Sequence, residues 1–199
     1  MPEKEVKKVL EKTLGNLVVI VGPSGVGKGT VLRKVFKDLD KLVFSVSVTT
    51  RPIRAGEVEG INYFFKTKEE FMELVKAGEL LEWAEFVGNY YGTPKKYVEE
   101  QIEQGNDVVL EIEVEGAKQI KKNKPDALFI FISPPSIEIL YKRLKERSTE
   151  AEDKILSRIE KSKQELQEIS WFDHQIVNEQ GQVNETAEKL IQIIKAKRK

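Results

Sequence analysis

Residues 17–28 read LVVIVGPSGVGK, an apolar run that passes directly into a glycine-rich segment. The leucine, valine and isoleucine side chains of Leu17–Val21, bounded by glycine, predict a buried strand. Gly22–Lys28 match the first seven positions of the phosphate-loop motif, and a helix is predicted from near Gly27 toward Phe36. Backbone N–H groups of such a loop turn toward phosphate oxygens, and the helix N-terminus and Lys28 add positive charge. The stretch therefore predicts a polyphosphate site.

The motif departs from its usual form after the lysine. A serine or threonine that helps to hold Mg²⁺ is usual at the next position, but this chain has Gly29, followed by Thr30. The Gly-Lys-Gly-Thr ending resembles adenylate kinases, so phosphoryl transfer stays compatible with it. Mg²⁺ bound with the polyphosphate would then rest mainly on phosphates and water. The loop alone identifies a phosphate binder and leaves ATPases, GTPases and many kinases open. The residues expected to bind the polyphosphate, which in a kinase would be ATP, are Gly22, Pro23, Ser24, Gly25, Val26, Gly27, Lys28, Gly29 and Thr30.

The composition narrows the classes of function. Lysine plus arginine number 33, as do aspartate plus glutamate, so no net charge draws the chain to nucleic acid or an acidic membrane. The chain has no cysteine, which excludes disulfides and cysteine-ligated metal sites. Residues 1–15 lack the apolar core of a signal peptide. We expect a cytoplasmic protein that binds neither nucleic acid nor membrane, and the sequence leaves its oligomeric state open.

Strand and helix signals alternate along the rest of the chain. Strands are predicted at residues 42–48, 63–65, 80–86, near 90, 108–112, 128–132 and 175–177. Helix starts are predicted at Thr67, at Thr93 with Pro94 as the first helical residue, and at Asn184. The charged stretch 145–154 is predicted to be mobile, and the tail Lys195–Lys199 to be solvated. The order predicts a three-layer α/β fold around a mainly parallel sheet.

Several segments after the loop resemble the guanylate kinase family. In order they are Phe44–Glu57 (FSVSVTTRPIRAGE) with Gly60 and Tyr63, Glu82–Phe86 (EWAEF), Gly88–Thr93 (GNYYGT) and Val177-Asn178. The resemblance covers nearly everything from Leu17 onward. It implies a P-loop nucleoside-monophosphate kinase that transfers the γ-phosphoryl group of ATP to GMP, giving ADP and GDP; use of dGMP is left open.

The resemblance also implies how the chain is organised. We expect one guanylate-kinase-like domain over residues 1–199, with an N-terminal helical extension at 1–15. A GMP-binding subdomain is expected at 45–97 and a lid at 142–158. Closure of both onto the core would expel water and align the reacting groups.

The family pattern implies a GMP site with two parts. Its phosphate part would consist of Arg51, Arg54, Tyr63 and Tyr91, because guanidinium forks bind phosphate in bidentate fashion and phenols add neutral donors. Its guanine part would consist of Glu82, Thr93 and Ser47. The Glu82 carboxylate would accept hydrogen bonds from the ring N1–H and the 2-amino group of guanine, and adenine offers neither of these donors.

Relatives usually carry an Asp-Ile-Asp pattern where this chain has Glu111-Ile112-Glu113. Strand alternation places Glu111 and Glu113 on one face at the carboxyl end of a strand, where α/β sheets gather ligands. Both are expected at the GMP site. Glu113 is also the expected holder of Mg²⁺, acting through bound water.

The family also has cationic residues on its lid. Arg143, Arg147 and Arg158 match these positions, and closing cations over a transferring phosphoryl group is the expected catalytic device. Asn178 resembles the residue that borders the adenine of ATP. The residues expected to act in catalysis are Lys28, Arg51, Arg147 and Arg158.

Two other functions stay open. A kinase of a phosphorylated ribose could share the loop and the arginines, and guanylate-kinase-like scaffold modules bind peptides without catalysis. The intact Lys28 argues against the scaffold module. Asn123–Asp126 spell the Asn-Lys-x-Asp guanine motif of GTPases, but they precede a predicted strand and are interpreted as a turn.

Overall fold

The computed structural model describes residues 14–86, 88–147 and 152–198. In chain order its elements are β1 (Leu17–Val21), α1 (Lys28–Asp38), β2 (Leu42–Phe44), β3 (Val48–Thr49), β4 (Phe64–Phe65), α2 (Lys68–Ala77), β5 (Leu80–Phe86), β6 (Asn89–Pro94), α3 (Lys95–Glu103), β7 (Asp107–Glu111), α4 (Val114–Asn123), β8 (Leu128–Ser133), α5 (Ile137–Arg147), α6 (Glu152–Gln167), β9 (His174–Val177) and α7 (Val183–Lys197). The predicted helix within residues 1–15 lies almost wholly outside the described residues.

The first strand is the middle strand of the central sheet. Within the described ranges this sheet has the order β2-β7-β1-β8-β9, and all of its strand pairs are parallel. Alternate residues of β1 face opposite layers: Val18 and Ile20 pack with α1, α5, α6 and α7, whereas Val19 and Val21 pack with α3 and α4. The predicted three-layer α/β fold is confirmed, and the continuous apolar run of β1 is explained by burial on both faces.

The predicted strand at residues 42–48 is confirmed only for residues 42–44, because the segment contains two strands that belong to different sheets. β2 is an edge of the central sheet, and Ser45 N–H still donates to the Val109 carbonyl at 3.0 Å. β3 instead joins a second sheet, which has the order β4-β3-β6-β5 in the described part of the chain. Residues suited to strands do not reveal which partner they pair with.

Two predicted helix starts are also corrected, whereas the first is confirmed. Thr67 caps α2 through a complete capping box with Glu70. Thr93 is a residue of β6, Pro94 takes the N-cap position of α3, and the Thr93 hydroxyl donates to a carboxylate instead. The N-cap of α7 is Gln182, so Asn184 lies inside that helix. Across the ranges described, no helix is long and apolar enough to cross a membrane.

The charged stretch 145–154 is described only at its two ends, so its predicted mobility stays a prediction. Helix α5 continues to Arg147 and α6 begins at Glu152, so both ends of the stretch are helical. The Tyr141 hydroxyl donates to the Glu152 carboxylate, which joins the two helices. Residues 148–151 and the Arg147 side chain lie outside the described part of the molecule.

The predicted solvated tail at Lys195–Lys199 is wrong for Arg198. Its Nε donates to Oδ2 of Asp107 at 2.5 Å, and its Nη2 donates to the Asp40 carbonyl at 2.7 Å. Asp107 is 2% exposed and also accepts from the backbone and side-chain nitrogens of Asn16, at 2.8 and 2.9 Å. The buried carboxylate therefore joins both ends of the described chain.

We expect Arg198→Ala to lower the free energy of unfolding by about 2 kcal/mol, because it removes a charged donor from a buried carboxylate. Urea unfolding would measure the loss. Lys197→Ala removes an exposed charge one residue away and is the matched control. Equal stability of the two variants would show that the bond from Arg198 to Asp107 does not stabilise the fold.

Candidate active site

The phosphate loop turns sharply between β1 and α1. Gly25 and Gly27 have φ values of 85° and 101°, which favour glycine. Space also excludes side chains there, because an added Cβ would lie 2.7 Å from Leu144 Cδ2 at Gly25 and 2.7 Å from Asn178 Nδ2 at Gly27. Glycine is therefore needed at both positions by backbone conformation and by packing.

Buried hydrogen bonds hold this loop from below. The Val26 carbonyl accepts from Asn178 Nδ2 at 2.8 Å and from Arg143 Nη1 at 3.1 Å. Arg143 Nη2 also donates to the Asn178 carbonyl at 3.0 Å, and Thr186 donates to Asn178 Oδ1 at 3.0 Å. Asn178 is 3% exposed, so its side chain supports the loop, and its predicted contact with adenine stays a prediction. Sequence reasoning missed the supporting roles of Arg143 and Thr186.

The loop residues line a polar cleft of about 480 Å³ with Arg33 and Glu111. Lys28 Nζ donates to the Gly22 carbonyl at 2.5 Å and lies 3.9 Å from Glu111 Oε1. Burial lowers the pKa of Lys28, and the nearby carboxylates, Glu111 first among them, act against that shift. Glu111, the last residue of β7, therefore lies beside the loop, and its predicted place at the GMP site stays a prediction.

Gly29 leaves open space on the cleft side of α1. No heavy atom among the described residues lies within 4 Å of a Cβ placed there, so packing does not exclude a serine. The hydroxyl oxygen of the next residue, Thr30, accepts a bond from Arg33 Nη2 at 3.1 Å. The described residues also contain no group of three or more acidic, histidine or cysteine side chains that could hold a metal ion.

Glu113 points to a different partner from Glu111. It is the N-cap residue of α4, and its carboxylate accepts a hydrogen bond from Lys161 of α6. Glu165, one turn further along α6, has a pKa raised by its own burial and then by the charge of Glu113. This cluster of charges joins α4 to α6 beside Lys28.

The predicted lid cations are placed only in part. Arg158 of α6 reaches the phosphate loop, where its Nη1 donates to Ser24 Oγ at 3.1 Å. Arg147 is the last residue of α5, and its side chain is not among those described. Helix α6 therefore brings a cation to the outer side of the loop.

A second group of cationic and aromatic side chains lies on the second sheet and its loop. Arg51 is 10% exposed and forms a bidentate pair with Glu57, with Nη2–Oε1 at 2.7 Å and Nη1–Oε2 at 3.1 Å. Its guanidinium carbon lies 5.3 Å from the Tyr63 ring centre, and the Tyr63 and Tyr91 rings are 6.1 Å apart. Glu57 also accepts from the backbone N–H of Arg54, whose side chain is exposed.

Glu57 orders this group, although its role had no signal in the sequence. Its hydrogen bonds raise the pKa of Arg51, and Arg51 in return lowers the pKa of Glu57. Burial raises the pKa of Tyr63. The structure thus brings Arg51, Tyr63 and Tyr91 together and places Arg54 on the neighbouring loop.

Glu82 is a buried carboxyl group on β5. It is 5% exposed, and its Oε1 accepts from the Thr93 hydroxyl at 2.6 Å. Burial raises its pKa to about 7, although the bond from Thr93 lowers it. The predicted partner Ser47 is half-buried just before β3, where its carbonyl accepts from Phe64 N–H at 2.9 Å.

Comparison with known proteins decides the family. A family model described as guanylate kinase matches residues 14–197. The chain belongs to the guanylate kinase family. A guanylate kinase of Oceanobacillus iheyensis is 48% identical over 185 residues, which are 93% of this chain and 89% of that protein.

Solved structures agree with this membership. The crystal structure of guanylate kinase from Anaplasma phagocytophilum has a TM-score of 0.75 and 34% identity, and the match covers 94% of this chain and 88% of that one. An uncharacterised protein of Eubacterium ventriosum is 15% identical with a TM-score of 0.50, over 91% and 98% of the two chains, and shows the fold alone. The guanylate kinase fold therefore extends over almost all of the chain.

The burial of Glu82 predicts how pH affects the stability of this protein. Raising a carboxyl pKa from 4.5 to about 7 costs the folded state about 3 kcal/mol at pH above both values. Between those values the folded chain keeps a proton that the unfolded chain has lost, so stability falls as pH rises. Glu82→Gln cannot ionise, so its stability relative to the original protein should increase from pH 5 to pH 8.

Urea unfolding of both proteins at pH 5 and pH 8 would measure this difference. Glu85→Gln, an exposed position on the same strand, is the control and should show little dependence on pH. A Glu82→Gln effect of the same size at both pH values would contradict the burial argument.

Proposed function

We propose that this chain transfers the γ-phosphoryl group of ATP to GMP, with ATP along the phosphate loop and GMP on the second sheet. The chain's family supports the reaction. The observation that carries the proposed acceptor is the buried carboxyl group of Glu82, hydrogen-bonded to Thr93. A buried carboxylate is costly to the fold, and a ligand that donates to it accounts for its presence.

The donor site would work by charge and position. The β- and γ-phosphates would take the inward N–H groups of the loop, and Lys28 would leave the Gly22 carbonyl to meet them. Arg158, already on Ser24, would lie over the same phosphates. Phosphoryl transfer spreads negative charge over the moving oxygens, so fixed cations supply most of the catalysis.

The acceptor phosphate would bind to the arginine and tyrosine side chains of the second sheet. Glu57 holds the Arg51 guanidinium in one orientation, which reduces the entropy lost when a phosphate binds. Tyr63 and Tyr91 would donate phenolic hydrogens, and the exposed Arg54 would close from the loop. Arg51 would also help to neutralise the GMP phosphate during transfer.

Guanine would be selected by Glu82, with Thr93 and Ser47 beside it. The ionised carboxylate can accept from the ring N1–H and the 2-amino group together. Adenine would leave it buried and unpaired, which costs several kcal/mol, on the order of the discrimination seen at polar specificity sites. Because the pKa of Glu82 is about 7 in the free protein, guanine binding should favour its ionised form.

Magnesium would enter with ATP. The open position at Gly29 supplies no hydroxyl, and the described residues offer no carboxylate cluster, so phosphates and water would supply most ligands. Glu113 would order a metal-bound water after release from Lys161, and Glu111 would lie between Lys28 and GMP. The metal would neutralise phosphate charge during transfer.

The proposal predicts a clear order of acceptors in a coupled ADP-release assay with ATP and Mg²⁺. GMP should be phosphorylated far faster than AMP, CMP, UMP or a phosphorylated ribose, with dGMP included to test whether the deoxynucleotide is used. Glu82→Gln should weaken use of GMP and narrow its advantage over AMP, whereas Glu85→Gln should not. Unaltered discrimination in Glu82→Gln would remove Glu82 from guanine recognition.

Lys28→Ala should lower turnover about 100-fold or more, since it removes a charge-stabilising donor. Thermal unfolding should show that the variant is folded. Lys34→Ala, on the same helix and paired with Asp38, is the matched control. A Lys28→Ala enzyme with the original turnover would refute the assignment of Lys28.

A further inference from the structure

Helix α4 forms hydrogen bonds with the free edge of strand β5. β5 is at the edge of the second sheet, and beyond it the side chain of Gln119 bonds both backbone groups of Trp83. Trp83 N–H donates to Gln119 Oε1 at 3.1 Å, and Gln119 Nε2 donates to the Trp83 carbonyl at 2.7 Å. One primary amide therefore imitates the pairing of a strand, directly after Glu82.

This pairing occurs where the sheet itself is irregular. Leu80 pairs with Pro94 but Trp83 pairs with Gly92, so β5 holds one extra residue over this interval. Glu82 lies inside the interval. A bulge interrupts the hydrogen bonds that fix a strand and re-aims its side chains. The backbone of β5 beside Glu82 is therefore held in part from outside the sheet, by Gln119, while Thr93 of β6 bonds the carboxyl group itself.

The same helix also contacts the carboxyl group. Gly116 precedes Gln119 by three residues, so both lie on one face of α4. A Cβ at Gly116 would lie 2.4 Å from Glu82 Oε2 and 3.1 Å from Glu82 Cδ. Glycine is less favourable than alanine within a helix. Here its lack of a side chain leaves the volume that Glu82 occupies.

We propose that α4 positions the guanine-reading carboxylate, with Gln119 holding the backbone beside Glu82 and Gly116 leaving room for its side chain. Gln119 is a positioning residue, because it acts on the nucleotide through Glu82. The inference rests on the proposed role of Glu82 in guanine recognition. It adds a specificity determinant from the layer of helices that packs on the central sheet.

Gln119→Leu tests the proposal by removing both bonds at similar volume. It should raise KM for GMP about tenfold and lower the GMP-over-AMP activity ratio. A tenfold change corresponds to a loss of about 1.4 kcal/mol in the binding free energy of GMP. KM for ATP and kcat at saturating GMP should stay near those of the original enzyme. Gln192→Leu, at an exposed position of α7, is the matched control.

Gly116→Ala tests the other contact without a hydrogen bond being lost. Alanine favours the helix, so α4 should be retained while the carboxyl group is displaced. We expect the same pattern as for Gln119→Leu: higher KM for GMP, a smaller GMP-over-AMP ratio and unchanged KM for ATP. Thermal unfolding of both variants would identify any that fails to fold.

Glu82→Gln separates the two hypotheses. If Glu82→Gln leaves the GMP-over-AMP ratio unchanged, the role of Glu82 itself fails. If Glu82→Gln narrows the ratio but Gln119→Leu and Gly116→Ala do not, the positioning role is overturned. A loss confined to kcat or to stability would overturn it as well. The double variant Glu82→Gln/Gln119→Leu should have nearly the same GMP-over-AMP ratio as Glu82→Gln alone, because Gln119 acts through Glu82.

Discussion

The Val26 carbonyl fixes the phosphate loop, and much of the molecule converges on it. A loop that presents its N–H groups to phosphate must turn carbonyls toward the protein, where they need donors. Asn178, which follows β9, and Arg143 of α5 supply those donors. The Val26 side chain is fully buried in the core beneath. The loop is therefore held by elements distant in sequence before any nucleotide arrives.

The acceptor side follows a different principle. The donor cleft is lined by glycine and charged residues, whereas the second sheet buries the carboxyl group of Glu82, which accepts from the Thr93 hydroxyl. Such a group weakens the fold at neutral pH, and in the proposed acceptor site it would give selectivity for the base in return. Glu57 has the opposite character, because its pairing with Arg51 keeps that cation oriented near the surface. In the proposed acceptor site, recognition of the base would thus depend on burial, and recognition of the phosphate on charge pairing.

Elements that depend on neighbouring residues were predicted well from the sequence, whereas contacts between residues distant in sequence were not. The strand at Leu17–Val21 and the cap at Thr67 depend on neighbouring residues, and both are confirmed. Thr93 precedes a proline as a helix cap would, but its hydroxyl bonds a residue on another strand. Arg198 lies in a basic tail, and its partner is 91 residues away. The phosphate loop was predicted from its motif and the GMP-site residues from family resemblance, whereas Glu57, Gln119 and Gly116 acquire their roles only in three dimensions.

The buried Asp107 has a practical consequence. It begins β7 and binds Asn16, which precedes β1, as well as Arg198 after α7. The amino ends of these parallel strands lie opposite the carboxyl ends that carry the phosphate loop. A short engineered linker between Asn16 and Arg198 would therefore suit circular permutation, and surface immobilisation through this pole would leave the catalytic cleft facing solution.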